Sequence, residues 1–212
     1  MIICFEGPSA IGKTTLCEAL NNNFTSIPEV NLLFKRPKNE PKYWYLDKQL
    51  ERTYLCKTEK KSTILDGDPF QPLWYNWIYK PENYNLQLDA TLEFYTNAIH
   101  KKKITFPDLY IVFNVEYETL LTRKENDNSR KRSNFMKHQS LILNQQLYFK
   151  FLKDETNLNI IFITYNSVDQ AKHDVLLAVK EYRNPELIDQ SRTILHIAEW
   201  LKNNNPMHTP EY

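Results

Sequence analysis

Residues 7–14 of this chain read GPSAIGKT, and this stretch decides the fold. The eight residues fit the pattern G-x-x-x-x-G-K-[ST], whose backbone N–H groups surround the phosphates of a nucleotide. Residues 1–5 (MIICF) precede the pattern as a predicted buried strand, and residues 14–23 follow it as a predicted helix. Strand, loop and helix in this order predict a phosphate-binding loop (P-loop) for a nucleoside triphosphate.

The rarity of glycine in the chain supports this interpretation. The 212 residues include only 3 glycines, whereas average usage would give about 15. Gly7 and Gly12 occupy the two fixed glycine positions of the pattern, and Gly67 is the third. Glycine therefore stands where the backbone is expected to turn tightly around a phosphate.

The pattern also predicts how ATP and Mg²⁺ would be held. The Lys13 ammonium would reach the β- and γ-phosphates, and the Thr14 hydroxyl would ligate Mg²⁺. The Thr15 hydroxyl fits phosphate contact and a structural role on the first helical turn equally well. The sequence does not distinguish ATP from GTP as the donor. The predicted nucleotide-binding residues are Gly7, Ser9, Ala10, Ile11, Gly12, Lys13, Thr14, Thr15 and Arg123.

Composition limits the class of protein. The length suits one compact domain with a sizeable core, and the net charge of +1 gives no argument for a nucleic-acid or membrane partner. No apolar run is long enough for a membrane span, and no signal peptide is evident. The 3 cysteines are odd in number and lack metal or redox spacing, which predicts a cytoplasmic protein. A homodimer is left open.

Predicted strands and helices alternate along the chain. This order predicts a three-layer α/β fold around a mostly parallel, five-stranded sheet. The predicted strands are residues 1–5, 25–30, 62–65, 109–115 and 159–164. The predicted helices are residues 14–23, 43–60, 73–79, 86–103, 116–125, 135–154, 168–182 and 185–202.

Two carboxylates lie at the ends of predicted strands. Asp66 ends strand 62–65, and ligands in open α/β sheets gather at the carboxyl ends of strands. Its carboxylate is therefore a candidate ligand for Mg²⁺ or for an acceptor hydroxyl, with a simple Asp-Gly-Asp-Pro turn as the alternative. Glu29 lies near the end of strand 25–30 and is a second candidate, with a solvated surface residue as the alternative.

A basic segment, residues 123–132 (RKENDNSRKR), follows the strongest predicted strand and one helix. Phosphoryl transfer spreads negative charge over the γ-phosphate oxygens, which the planar guanidinium group of arginine fits well. Arg130 and Arg132 are predicted to lie on a lid that closes over the nucleotide and excludes water. A solvated charged face is the alternative.

Together these motifs resemble the nucleoside and nucleotide kinases among P-loop proteins, above all deoxyribonucleoside kinases and thymidylate kinases. Residues 5–7 (FEG) with 12–15 (GKTT) resemble the thymidylate kinase start. Residues 28–30 (PEV) resemble the Glu-Pro-Val region of deoxyribonucleoside kinases, with the first two residues exchanged, and residues 130–132 (RKR) resemble the R-x-R lid. Asp66-Gly67 departs from the Asp-Arg or Glu-Arg of those families, so the contact of that arginine is absent or comes from elsewhere.

The resemblance implies an ATP- and Mg²⁺-dependent kinase that transfers the γ-phosphoryl group to a nucleoside, a nucleotide or another small molecule. It implies Glu29 as general base and covers roughly residues 1–165. The domain prediction is a kinase-like domain over residues 1–184, with a lid near 125–134, followed by a helical extension over 185–212 after Asn184-Pro185. Thr14 and Asp66 are the expected metal ligands. The expected catalytic residues are Lys13, Glu29, Asp66, Arg130 and Arg132.

The helix from Trp44 is similar in placement to the helix whose glutamine reads the nucleobase in those kinases. Aromatic rings near it are candidates for stacking on a planar acceptor, with a plain core role as the alternative for each ring. The expected acceptor-binding residues are Trp44, Gln49, Arg52, Asp68, Phe70 and Tyr75.

Other functions stay open on the sequence alone. A non-catalytic or regulatory ATP-binding protein would share the P-loop, and antibiotic-type small-molecule phosphotransferases share the whole layout. A GTPase switch would need the guanine-reading pattern N-K-x-D, which the sequence lacks.

Overall fold

The computed structural model describes residues 1–79, 87–114, 122, 142–182 and 188–207. Within them the strands are β1 (Ile2–Glu6), β2 (Thr25–Ile27), β3 (Thr63–Asp66), β4 (Leu109–Asn114) and β5 (Ile160–Thr164). The helices are α1 (Lys13–Ala19), α2 (Val30–Leu33), α3 (Trp44–Thr58), α4 (Gln71–Tyr79), α5 (Leu88–His100), α6 (Ile142–Glu155), α7 (Val168–Glu181) and α8 (Gln190–Asn203).

The five strands form one parallel sheet in the order β2-β3-β1-β4-β5. The first strand is central, with Phe5 opposite Asp66 of β3 on one side and Ile111 of β4 on the other. Because the strands are parallel, their carboxyl ends lie along the same edge. The loop after β1 therefore lies beside the end of β3.

Helices cover both faces of the sheet. Side chains of alternate strand residues such as Cys4 and Tyr110 enter one core cluster, together with residues of α4, α5, α6 and α8. Ile3 and Phe5 enter the opposite cluster, with residues of α1 and α7. The near-continuous apolar runs of β1 and β4 are explained by this burial on two sides. The predicted three-layer α/β fold with a parallel five-stranded sheet is confirmed.

Several boundaries differ from the sequence prediction. The second strand ends at Ile27 rather than at residue 30, because Pro28 has no backbone N–H for a strand ladder. Glu29 then precedes α2, a short helix that the sequence analysis did not predict. The predicted helix 116–125, apart from residue 122, and the first residues of the predicted helix 135–154 lie outside the described residues.

The C-terminal helix α8 packs into the first core cluster through Ile194, Ile197 and Leu201, which are buried. The Trp77 indole N–H donates to the carbonyl of Asn204, at 2.7 Å, just beyond that helix. The expected boundary between residues 184 and 185 stays a prediction. In the described segments, no helix has the length and apolar character to cross a membrane.

Candidate active site

The loop between β1 and α1 requires glycine at its first position. Gly7 has a φ of 143°, and a Cβ atom at this position would lie 2.6 Å from the backbone carbonyl oxygen of Phe113 on β4. Ala10 and Gly12 also have positive φ values, of 69° and 105°. Such alternation curls a loop so that successive N–H groups converge on an anion. Residues 7–12 thus have the backbone shape of an anion-binding loop and lead directly into α1; we call them the phosphate cradle, after the role predicted for them.

Lys13 begins α1 and folds back over this loop. Its ammonium donates to the carbonyls of Gly7, at 2.7 Å, and Pro8, at 3.3 Å. An ammonium has three N–H donors, and both of these acceptors belong to the loop itself. The positive charge is therefore held at the phosphate cradle rather than in the protein core.

The Thr14 hydroxyl donates to the Asp66 carboxylate Oδ2 across the gap between α1 and β3, at 2.8 Å. Asp66 is only 2% exposed, and its Oδ1 is buried without a hydrogen-bond partner among the residues that the structure describes. Mg²⁺ prefers oxygen ligands and usually takes one or two protein carboxylates together with phosphates and water. The hydroxyl and the unpartnered carboxylate oxygen fit this ion.

Glu29 lies beside the same turn. Its side chain is half-buried, and its Cγ lies 3.7 Å from the place that a Cβ on Gly67 would take. Burial is the main cause of the raised pKa of Glu6, and the charge of Glu29 adds to that rise as a minor cause. Gly67 has a φ of 91°, which disfavours side chains. The structure thus brings Glu29, Asp66 and the P-loop together around a turn without a side chain at its centre.

A residue that the sequence analysis did not select, Glu6, connects these parts. Its Oε1 accepts from the Gly7 N–H at 2.8 Å and from the Gln145 amide at 3.1 Å, and its Oε2 accepts from the Asp68 N–H at 2.9 Å. Burial raises the pKa of this carboxyl, and the nearby Lys13 opposes that rise. Three surrounding donors suit an ionised carboxylate, which only accepts.

Arg52 and Gln49, expected to bind the acceptor, form a buried pair on α3. The Arg52 guanidinium donates from Nη1 to the Gln49 Oε1, at 2.6 Å. From Nη2 it donates to the carbonyls of Asp66, at 2.8 Å, and Gly67, at 3.3 Å. Arg52 is only 1% exposed, and two of these three hydrogen bonds hold the backbone of the turn after β3.

Asp68 follows that turn and is buried shortly before α4 begins at Gln71. Its Oδ1 accepts from the Phe70 N–H at 3.0 Å and the Tyr110 hydroxyl at 3.2 Å, and its Oδ2 accepts from the Trp74 indole N–H at 3.2 Å. Burial, with Glu6 as a secondary cause, raises the pKa of Asp68 to about 7. Its contacts within the described residues anchor the turn to α4 and β4.

This raised pKa predicts a dependence of stability on pH. A carboxyl whose pKa is higher in the folded state than in the unfolded state stabilises the folded protein fully at low pH. Its contribution to the free energy of unfolding is lost as pH rises from about 4 through about 7. The loss is at most about 1.4 kcal/mol per pH unit. Asp68→Asn cannot ionise, so we expect the free energy of unfolding of this variant to improve relative to the native chain as pH rises. Urea unfolding at pH 5, 6, 7 and 8 measures this difference, and a difference that is constant with pH would contradict the assignment.

The aromatic candidates separate into buried and half-buried rings. Phe70 is fully buried and stacks on Phe106, with ring centroids 4.2 Å apart. Trp44 and Tyr75 are half-buried, and the Tyr75 ring lies 4.5 Å from the Trp74 ring. The half-buried rings keep surface for a ligand, whereas Phe70 serves the core.

The remaining residues predicted to bind the nucleotide also include both buried and more exposed positions. Ser9 and Ala10 are half-buried on the loop, and Thr15 is exposed on the first turn of α1. Ile11 is buried, and its carbonyl accepts from the hydroxyl of Tyr165, which follows β5. The predicted lid residues Arg123, Arg130 and Arg132 lie outside the described residues.

Sequence reasoning missed Glu6, Gln145 and Tyr165. Glu6 had a local signal, because a carboxylate directly before the first glycine of a P-loop is unusual inside a buried strand. Gln145 and Tyr165 lie far from the loop in sequence, so only the fold brings them to it.

Neither a protein-family model nor a curated protein matches the sequence. The fold, in contrast, matches solved structures. One is deoxyadenosine kinase from M. mycoides with bound dATP, with a TM-score of 0.58 and 16% identity over 85% of this chain and 100% of that one. Another is thymidylate kinase from Candida albicans, with a TM-score of 0.55 and 16% identity over 90% and 95%.

A third similar structure is the YorR protein of Bacillus subtilis in complex with phosphorylated GDP, with a TM-score of 0.51 and 15% identity over 85% of this chain and 96% of that one. At these identities the similarity concerns the fold. The chain therefore has the fold of P-loop nucleoside and nucleotide kinases, and the resemblance found in its motifs is confirmed at that level.

Proposed function

We propose that this chain is an ATP- and Mg²⁺-dependent kinase that transfers the γ-phosphoryl group to a nucleoside or a nucleotide. The observation that carries the proposal is the 2.8 Å hydrogen bond between the Thr14 hydroxyl and the Asp66 carboxylate. This pair lies next to a loop over which the Lys13 ammonium is folded. The fold shared with deoxyadenosine and thymidylate kinases supports the same assignment.

The phosphates of ATP would bind the N–H groups of residues 7–14 and the Lys13 ammonium. Thr14 and Asp66 would hold Mg²⁺, which in such sites neutralises the charge on the β- and γ-phosphate oxygens. The unpartnered Oδ1 of Asp66 supports this role. A site built from one carboxylate and one hydroxyl leaves most ligand positions to phosphate and water.

The acceptor would bind on the side of α3 and α4 that faces this turn. Of the aromatic candidates, Trp44 and Tyr75 are half-buried and keep surface that an acceptor could contact, whereas Phe70 is buried. Gln49 stays our candidate for recognising a base. We assign Arg52 no direct contact with the acceptor, because its Nη2 already donates to the carbonyls of the turn.

The test is nucleotide turnover with and without acceptors. Purified protein is incubated with Mg²⁺ and ATP or GTP, alone and with a panel of nucleosides, nucleoside monophosphates and antibiotics. A kinase of the proposed class gives ADP or GDP release that depends on a nucleoside or nucleotide. Binding of ATP without acceptor-dependent release would favour a regulatory protein, and turnover with antibiotics alone would favour an antibiotic phosphotransferase.

Glu29 provides a prediction that depends on the acceptor. If the acceptor is a nucleoside hydroxyl, Glu29→Gln removes the proposed general base and lowers kcat by about a hundredfold or more. If the acceptor is a phosphate, no base is needed and kcat changes little. Steady-state kinetics with each acceptor class measures the effect, and Glu18→Gln, at an exposed site on α1, is the control. A large loss with a nucleotide acceptor would contradict the general-base role.

The lid arginines give a prediction about the transition state. Arg130→Ala and Arg132→Ala are each expected to lower kcat by at least about tenfold, which corresponds to about 1.4 kcal/mol of transition-state stabilisation. KM for ATP should rise less, because the charge that these residues meet grows during transfer. Initial rates over a range of ATP concentrations separate the two constants. A change in KM alone would mean that these arginines only bind the nucleotide.

A further inference from the structure

We infer that Glu6 and Arg52 are a pair of positioning residues that hold the backbone of residues 66–68 from opposite sides and thereby orient the Asp66 carboxylate. The inference rests on the proposed function in one respect, since Asp66 matters for turnover only if the chain is a kinase. The backbone clamp itself is a structural feature that can be measured without catalysis.

Arg52 holds the carbonyl side of this turn. Its Nη2 donates to the carbonyls of Asp66 and Gly67, and the Gln49 side chain orients the guanidinium through Nη1. Its Nε is buried without a partner among the described residues. A buried charge with an unpaired donor is costly for stability. The presence of this buried charge is explained if the guanidinium fixes the backbone turn at Gly67, where φ is 91°.

Glu6 holds the amide side of the same turn. One carboxylate oxygen accepts the Asp68 N–H, and the other accepts the Gly7 N–H of the P-loop. The Gln145 side chain on α6 adds a third donor to this carboxylate. This buried side chain thus ties the phosphate cradle to the turn that bears Asp66, alongside the backbone hydrogen bond from the Gly67 N–H to the Phe5 carbonyl at 3.0 Å.

The consequence concerns the Thr14–Asp66 pair. Thr14 directly follows the P-loop lysine and Asp66 directly precedes the turn at Gly67, so we expect their 2.8 Å hydrogen bond to depend on both clamps. Within the described residues, neither Glu6 nor the Arg52 guanidinium bonds to a side chain of this pair. Loss of either clamp should therefore misplace the metal-binding oxygens while leaving the phosphate cradle able to bind ATP.

The experiment compares Glu6→Gln, Arg52→Met and Arg52→Lys with the native chain. In Glu6→Gln the amide group replaces one acceptor oxygen by an NH₂ group, which cannot accept from the surrounding N–H donors. Arg52→Met keeps the apolar stem without donors, and Arg52→Lys restores the charge with a smaller reach. The controls are Thr53→Val and Asn144→Ala, at buried residues next to Arg52 and Gln145 whose side-chain hydrogen bonds in the described structure go to the Gln49 carbonyl and to the Met207 backbone rather than to the turn.

Two readouts are taken on each variant. The first is kcat and KM for ATP per folded molecule; we expect Glu6→Gln and Arg52→Met to lower kcat about a hundredfold, as a displacement of about 1 Å can, with KM nearly unchanged. Arg52→Lys should recover part of that loss. The second is amide hydrogen exchange by NMR, in which the Gly7 or the Asp68 amide should lose protection in Glu6→Gln. The control variants should lose stability only.

The outcomes separate this inference from the proposed function. If the native chain shows no acceptor-dependent turnover, the proposed function fails, and loss of protection at Gly7 or Asp68 still supports the clamp. Native-like kcat in folded Glu6→Gln and Arg52→Met overturns the inference, as does an equal loss of kcat in the controls. If Glu6→Gln does not fold, the test uses Arg52→Lys, which keeps the buried charge. The same comparison applies to this variant: a lower kcat with KM nearly unchanged supports the inference.

Discussion

Lys13→Ala is expected to abolish phosphoryl transfer while leaving the protein folded. The ammonium is the cation that the phosphate cradle holds, and removal of a charge aimed at developing negative charge costs on the order of a thousandfold in rate. Its hydrogen bonds in the described structure go to the loop carbonyls of Gly7 and Pro8. Because neither contact joins the hydrophobic core, the melting temperature should change by no more than a few degrees. Acceptor-dependent ADP release and thermal unfolding together measure the two effects.

Lys150→Ala is the matched control, since Lys150 is exposed on α6. It removes the same charge and should leave kcat unchanged. Calorimetric titration with ATP adds a second measurement, because Lys13→Ala should also weaken binding of the triphosphate more than binding of adenosine. Normal turnover by folded Lys13→Ala protein would end the kinase proposal.

Much of the fold is predictable from local sequence signals. Apolar runs such as those of β1 and β4 are typical of strands buried on both faces, and the P-loop pattern predicts the loop and the helix after the first strand. The alternation of elements then predicts the parallel sheet. Boundaries were less predictable, because they depend on single residues: Pro28 ends β2 early, and Glu29 then directly precedes α2.

The candidate site was predictable only in part. Lys13, Thr14 and Asp66 carry their own signals, which are a spacing pattern and a position at a strand end. The sequence does not show which groups Arg52 and Asp68 contact, because their partners are backbone atoms and distant side chains such as Tyr110. Glu6 has donors from three separate segments, and only the folded chain brings these together.

Asp66→Asn is the second change with a large expected effect. The asparagine keeps the shape of the side chain and one oxygen that can accept from the Thr14 hydroxyl. It loses the negative charge and the second oxygen, which is unpartnered among the described residues. Since that oxygen is the proposed ligand of Mg²⁺, kcat should fall by about a hundredfold or more, as loss of a positioned acid or base does.

The dependence on Mg²⁺ makes this prediction specific. Rates measured over a range of Mg²⁺ concentrations should show that Asp66→Asn needs more of the ion for half-maximal activity than the native chain does. Asp108→Asn is the control, because the Asp108 carboxylate also accepts a hydrogen bond, from the Ile2 N–H at 2.7 Å, but at the amino ends of the strands, opposite the proposed site. That variant should lose stability and keep its response to Mg²⁺. If Asp66→Asn loses only thermal stability while kcat holds, Asp66 is a turn residue, and the metal must be bound without it.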